Sequence, residues 1–329
     1  RNMRHLKAVI LLAAAGVLVL APSGGAEVLD YVESQWDQHK YSGLGGVQFV
    51  KIGQGARASA MGGIFSANAD DINAAFWNPA GLTDIRGTAW TATYTRWLVN
   101  TKVFSAAAAL NTGSARGGVL GMTVMSYRPE SFEETTIYQP SGTGQNVDTG
   151  DIAIGLIYAI KLTDKFSFGA RVSWLHQTLF TFSVNHIAID LGTRFHTGFR
   201  SLRGAMCLRN YGPDIEVLRL RALMPMAYSL SLASEVYGEK GDPAYLTLSA
   251  ETLYEADYSM RYHVGGELWL QNMIALRAGH RFTYVADSYS LGAGVKYDIP
   301  GGKSVTVDVS YSKMDFFEAP IRVTIGGTF

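Results

Sequence analysis

Three charged residues with the means to do chemistry stand in a stretch otherwise made of small ones. Arg57, Asp70 and Asp71 lie between Gly45 and Leu82, in GGVQFVKIGQGARASAMGGIFSANADDINAAFWNPAGL, where Lys51 is the other charge. An arginine enclosed by protein favours carboxylate partners, because an unpaired enclosed charge is costly. The expected partners of Arg57 are Asp70, Asp71, or a carboxylate from elsewhere such as Glu251 or Glu267. The alternative is that all three charges are wetted and simply solvated, and the residues alone leave both readings open. The stretch closes on Asn78-Pro79-Ala80-Gly81. Proline removes a backbone donor and glycine permits unusual torsions, so these four make a tight corner. That corner is either a structural bend or a rigid turn that holds a passage open or shut. Arg57, Asp70, Asp71, Asn78, Pro79, Ala80 and Gly81 are the candidate hatch and gating residues.

Other chemistry is weakly signalled. Hydrolysis or transfer needs a nucleophile with a base, or paired carboxylates at working distance. His176, His186, His196, His263 and His280 are scattered, without the spacing of a metal-ligand pair on a helix. Cys207 reads as a small strand residue. Gly302-Lys303-Ser304 ends like a phosphate loop, but the leading glycine would fall on Tyr297; after Pro300-Gly301 it reads as a hairpin. No catalytic, cofactor or metal pattern emerges, and the expectation is that the chain is not an enzyme. Acidic and basic residues balance at 28 each, so nothing suggests electrostatic capture of nucleic acid.

The glycine- and alanine-rich stretch has neither a helical stripe nor a long strand alternation, so it needs a wall around it. From Thr88 onward the sequence supplies one. Ile321, Val323, Ile325, Gly327 and Phe329 alternate with Arg322, Thr324, Gly326 and Thr328. Val305, Val307, Val309 and Tyr311 alternate with Thr306, Asp308 and Ser310; Phe166, Phe168, Ala170, Val172 and Trp174 alternate with Ser167, Gly169, Arg171 and Ser173. This period of two is the strand signal. A soluble sandwich would turn its apolar face inward, whereas a membrane barrel turns it to lipid. The strands run about 10 residues, the length a tilted membrane strand needs. Aromatics such as Tyr94, Trp97, Tyr158 and Tyr297 fall near strand ends, as an interfacial girdle would. The polar faces carry too many serines, arginines and glutamates for a dry core. The expected fold is all-β: a transmembrane antiparallel β-barrel of about fourteen strands, with an N-terminal hatch or plug in its lumen.

The strands are expected near 88–99, 101–111, 116–127, 148–160, 165–180, 185–196, 199–210, 225–236, 243–256, 260–270, 273–283, 288–298, 303–313 and 319–329. Tight turns then fall on one side and the long connections, Arg128 to Val147 and Tyr211 to Met224, on the other. Barrels put short turns in the periplasm and long loops outside. Before the hatch, Arg4, His5 and Lys7 precede the apolar run AVILLAAAGVLVL, and Gly24-Gly25-Ala26 offers small residues for cleavage. The run is shorter than the roughly 20 apolar residues of a membrane-spanning helix, so residues 1–26 read as an export signal. Residues 27–43 read as a short periplasmic arm or an unstructured leader, 44–86 as the hatch, and 87–329 as the outer-membrane barrel. The single cysteine means that no internal disulfide is available.

A family resemblance rests on the hatch residues. Gly46, Phe49 and Ile52, then Gly55-Ala56-Arg57-Ala58, Ala60-Met61-Gly62-Gly63, Ala69-Asp70-Asp71 and Trp77-Asn78-Pro79-Ala80-Gly81-Leu82 resemble the PorV/PorQ family. That family is similar to the FadL-type outer-membrane transporters, whose N-terminal residues form a hatch inside a fourteen-stranded barrel. Asp190-Leu191-Gly192 and Asn210-Tyr211-Gly212 fit the family's strand-end pattern, and the terminal Phe329 resembles the final aromatic read by the outer-membrane insertion machinery. The resemblance implies residence in the cell outer membrane and contact with its lipid. PorV-like members serve type IX secretion, so its components and their cargo become expected partners, met through the long loops. FadL-like members pass hydrophobic small molecules such as fatty acids, and passage through a side opening is the alternative function. The chain is shorter than the FadL pattern, without extra hairpins to present an apolar capture groove.

Overall fold

The computed structural model describes residues 45–113, 118–180, 182–217, 220–284 and 286–329. The expected signal and arm, 1–26 and 27–43, lie outside the described residues. The alternation read from the sequence becomes fourteen barrel strands. Thr88–Arg96 (β1), Lys102–Asn111 (β2) and Val119–Arg128 (β3) come first. A small hairpin, Phe132–Glu133 (β4) with Asn146–Val147 (β5), rises in the loop after them. Thr149–Thr163 (β6), Phe166–Leu179 (β7), Phe182–His196 (β8) and Arg203–Tyr211 (β9) continue the wall. A second loop hairpin pairs Ile215–Val217 (β10) with Leu220–Ala222 (β11). The wall is completed by Ala227–Tyr237 (β12), Ala244–Glu255 (β13), Arg261–Leu270 (β14) and Ile274–Phe282 (β15). Asp287–Ile299 (β16), Lys303–Met314 (β17) and Ile321–Thr328 (β18) follow.

Every neighbouring pair is antiparallel, and β18 closes on β1 with Trp90 opposite Gly327 and Tyr94 opposite Val323. The side-chain period of two then sorts each strand into two faces. On β2, Val103, Ser105, Ala107 and Ala109 are buried in the lumen while Phe104 and Leu110 are exposed. Leu156, Val172, Leu232 and Val295 likewise point outward. An apolar outer band over a lumen of serine, threonine, aspartate and arginine is the arrangement lipid imposes. Closure also removes the sheet edge, which a membrane does not tolerate. The barrel ends Thr88 and Thr328 share a rim with the short turns, the periplasmic side; the hairpin-bearing loops after β3 and β9 stand on the other.

The lumen is filled by residues 45–86. They form two short helices, Ala56–Ala60 (α1) and Ala74–Trp77 (α2), and two 3-10 turns, Gln48–Lys51 and Pro79–Asp84. Helices this short are not stable alone, and here they are held by what surrounds them. Met61, Phe65, Trp77 and Leu82 share one buried apolar cluster with wall residues Ala89, Ala107, Ala109, Val119, Ile157 and Ala159. Fully burying such a side chain contributes roughly 1.5–3 kcal/mol. Wall glycines make room for hatch backbone: a Cβ on Gly279 would collide with Met61 and Gly62, and one on Gly265 would come 2.5 Å from the Met61 carbonyl oxygen.

Candidate functional site

The centre of the hatch is Arg57 on α1, 7% exposed. Its Nη1 lies 2.6 Å from Asp70 Oδ1 and 2.8 Å from Asp71 Oδ2. Its Nε donates to Glu267 Oε2 at 2.8 Å and its Nη2 to Oε1 at 2.8 Å. Two hatch carboxylates and one from β14 therefore share one guanidinium, the forked geometry for which arginine is suited. Solvation by lumenal water does not describe this cluster. Glu251, offered in the sequence as a possible partner, sits elsewhere and accepts from the Ser66 amide at 3.4 Å. Glu267, 1% exposed, also accepts from Trp269 Nε1 at 2.6 Å, and Arg277 continues the chain to Asp308 at 2.6 Å. Lys240, in the periplasmic turn after β12, pairs with Asp70 from the rim. Burial pushes the Asp70 carboxyl up, but Arg57 and then Lys240 outweigh it and hold it well below the usual carboxylate range.

The Asn78-Pro79-Ala80-Gly81 corner packs against β7 and β8. Asn78 caps the Pro79–Asp84 turn by accepting from the Ala80 amide at 3.0 Å, and its Nδ2 donates to Ser66 O at 2.9 Å and Thr193 O at 3.1 Å. A Cβ on Gly169 would meet Pro79 and Ala80, so the wall there has to be glycine. Gly81 presses on Ala69, where an added Cβ would strike its carbonyl.

A set of wall arginines was not singled out from the sequence. Arg171 donates to Ala75 O (3.0 Å), Arg194 to Ala69 O (2.5 Å), Arg203 to Ala67 O (3.1 Å), Arg281 to Gly62 O (2.9 Å) and Arg322 to Gly53 O (3.2 Å). These carbonyls belong to turns and helix ends, which have no intrahelical donor. These arginines have further partners, among them Asp190 for Arg171, Asp84 for Arg194, Glu235 for Arg203, Ser312 for Arg322 and the Tyr284 ring for Arg281. The signal was present in part, since Arg171 and Arg322 stand on the glycine-bearing face of their strands.

At the other rim Lys51 reaches Asp257 at 2.5 Å and Glu255 at 3.5 Å, tying the start of the hatch to β13 and its loop. Two chambers flank the hatch. The extracellular one, about 440 Å³, is lined by Phe49, Trp97, Tyr127, Asp151, Gln177 and Leu179 among others. The periplasmic one, about 800 Å³, exposes Arg57, Asp70 and Asp71 among polar residues of β16 to β18. A pocket of about 50 Å³ lies beside Ile52, Gln54 and Trp77. Two of the histidines bond locally: His263 meets Tyr284 at 3.0 Å and His176 meets Asn185 at 2.9 Å. Among the described residues no group of three or more His, Cys, Asp or Glu could hold a metal ion.

A closed fourteen-strand antiparallel barrel with an apolar outer band and a folded segment in its lumen defines an outer-membrane β-barrel. No family model matches the sequence. No curated protein matches it. Solved structures do. The chain is similar to the toluene transporter TodX of Pseudomonas putida, at 12% identity and a TM-score of 0.53, over 84% of this chain and 98% of that one. It is equally similar to CymD, a monoaromatic hydrocarbon channel, at 13% identity and a TM-score of 0.52, with the same coverage. At such identity the likeness is one of fold.

Proposed function

We propose that the protein is a channel for hydrophobic small molecules in the outer membrane. The observation that carries this reading is the extracellular chamber, whose floor is the hatch and whose lining includes Phe49, Trp97, Tyr127, Pro129 and Leu179. Its volume is in the range of small-molecule sites, which are lined mostly by apolar and aromatic side chains. The hydrocarbon-channel names of CymD and TodX support the same substrate class. In this reading Arg57, Asp70 and Asp71 are the latch of the hatch, and Asn78, Pro79, Ala80 and Gly81 its hinge-side corner. Passage along the barrel axis requires the hatch to yield, because residues of the hatch pack against the wall between the two chambers. Deleting the gene should slow uptake of apolar compounds by intact cells; unchanged uptake across a series of such compounds refutes the reading.

A second reading is favoured by one feature of the surface. Ile137 and Tyr138, between β4 and β5, are 96% and 94% exposed, and Phe316 and Phe317 stand out on the loop after β17. Exposed apolar side chains at loop tips suit protein contact. Together with the hatch motifs that resemble PorV/PorQ, they favour a role in type IX secretion, receiving exported proteins at the surface. That reading expects co-purification with a translocon and loss of surface-delivered proteins on deletion.

A further inference from the structure

The extracellular chamber has a polar side, and strand register sets it. Val103 pairs with Tyr127, Tyr127 with Asp151, and Asp151 with Gln177, so β2, β3, β6 and β7 present these residues at one level. With a period of two they share the lumenal face. Asp151 is 5% exposed, and Gln177 Nε2 donates to its Oδ2 at 3.3 Å. The one ammonium lining the same chamber, Lys51, is committed to Asp257 and Glu255. Among the described residues that line the chamber, no lysine or arginine is left for Asp151. Around it stand three rings: Phe49 and Tyr127, with centroids 6.3 Å apart, and Trp97.

Resting on the channel reading, we infer that this chamber selects single-ring aromatic molecules that carry a hydrogen-bond donor, a hydroxyl or amino group, over bare hydrocarbons and over carboxylates. The ring lies among Phe49, Trp97 and Tyr127, where aromatic contacts add to area burial. The donor group gives its proton to the Asp151 carboxylate, a charge-assisted hydrogen bond. A ligand carboxylate would bring like charge against Asp151, with no lysine or arginine of the described lining free to offset it, and is rejected. A fatty acid is thus the wrong ligand for this site, although it belongs to the hydrophobic class at large.

The test is equilibrium dialysis of radiolabelled phenol, toluene and benzoate against the full-length protein in lipid nanodiscs at pH 7, with empty nanodiscs subtracted. Phenol should bind about tenfold tighter than toluene, the effect expected of one hydrogen bond to a charged group. Benzoate should not bind. Asp151→Asn should bring phenol to within a few-fold of toluene, and Trp97→Ala should weaken both alike. If phenol and toluene bind equally, or benzoate binds best, the role given to Asp151 is overturned while the channel reading stands. If none of the three binds, the channel reading falls as well. The ligand series on the unmodified protein decides even if a variant fails to fold.

Discussion

Replacing Arg57 with alanine should open the hatch, and the size of the effect follows from its partners. The change strips a guanidinium from Glu267, 1% exposed, and from Asp70 and Asp71 at once. Breaking a buried pair by removing one member costs about 3–5 kcal/mol. Trp269 at 2.6 Å and Arg277 at 3.6 Å still serve Glu267, and the Asp71 side chain is 31% exposed, so the lower end applies. About 3 kcal/mol raises the equilibrium for local opening more than a hundredfold. Ser59 on α1 is fully buried and its hydroxyl has no hydrogen-bond partner among the described residues, so Ser59→Cys makes a nearly isosteric reporter. In a Cys207→Ser background, the thiol-labelling rate at position 59 follows the opening equilibrium when closing is fast. Arg57→Ala should accelerate labelling by about two orders of magnitude. A rate within threefold of the parent, in a protein that still runs as a folded barrel, would refute the latch.

Four further outcomes use the same reporter or its partners. Exchanging the charges of Arg57 and Asp70 should not restore slow labelling, because Glu267 then faces a carboxylate in place of the guanidinium; full rescue would mean Glu267 is not a partner. Asn78→Ala removes a cap worth about 0.5–2 kcal/mol and should speed labelling by up to about thirtyfold; no change would mean the corner is held by Pro79 alone. Gly279→Ala puts a methyl group into the Met61–Gly62 backbone, an overpacking cost of about 1–3 kcal/mol, and should also speed labelling, whereas Gly204→Ala, whose nearest neighbour is the Leu232 side chain at 3.4 Å, should not. For pH, Asp70 is held below its ordinary range, so its contribution is complete above the unfolded value of about 4 and is lost as pH falls through the lower folded value. Labelling with an acid-tolerant disulfide reagent should stay flat from pH 7 to 5 and rise only below about 4; a rise between 7 and 5 would contradict the assignment.

The wall was legible in the sequence because lipid and lumen impose opposite demands on successive residues. Strands such as β17 and β18 alternate without a break, and all fourteen appear within a few residues of where the pattern puts them. Misses fall where that pressure stops. β8 starts at Phe182 rather than near residue 185, across Ser183, Asn185 and His186, where polar residues interrupt the pattern. β6 runs on to Thr163, through three of the four residues Lys161-Leu162-Thr163-Asp164 that read as a tight turn. In the hatch, Arg57 and its carboxylates were legible because few charges interrupt the small residues. Choosing Glu267 over Glu251 required register, since both stand on lumenal faces of neighbouring strands. The arginine pins were hidden for the same reason. Arg194 and Arg203 are ordinary lumenal residues until closure sets them against Ala69 and Ala67.

Channel function is tested most directly by the initial rate of labelled toluene uptake in matched cells with and without the protein, using a lipopolysaccharide-covered strain in which the outer leaflet limits entry. Faster uptake with the protein, and faster still with Arg57→Ala, is the predicted result. Equal rates in all three strains, with the barrel present in the outer membrane, would contradict it.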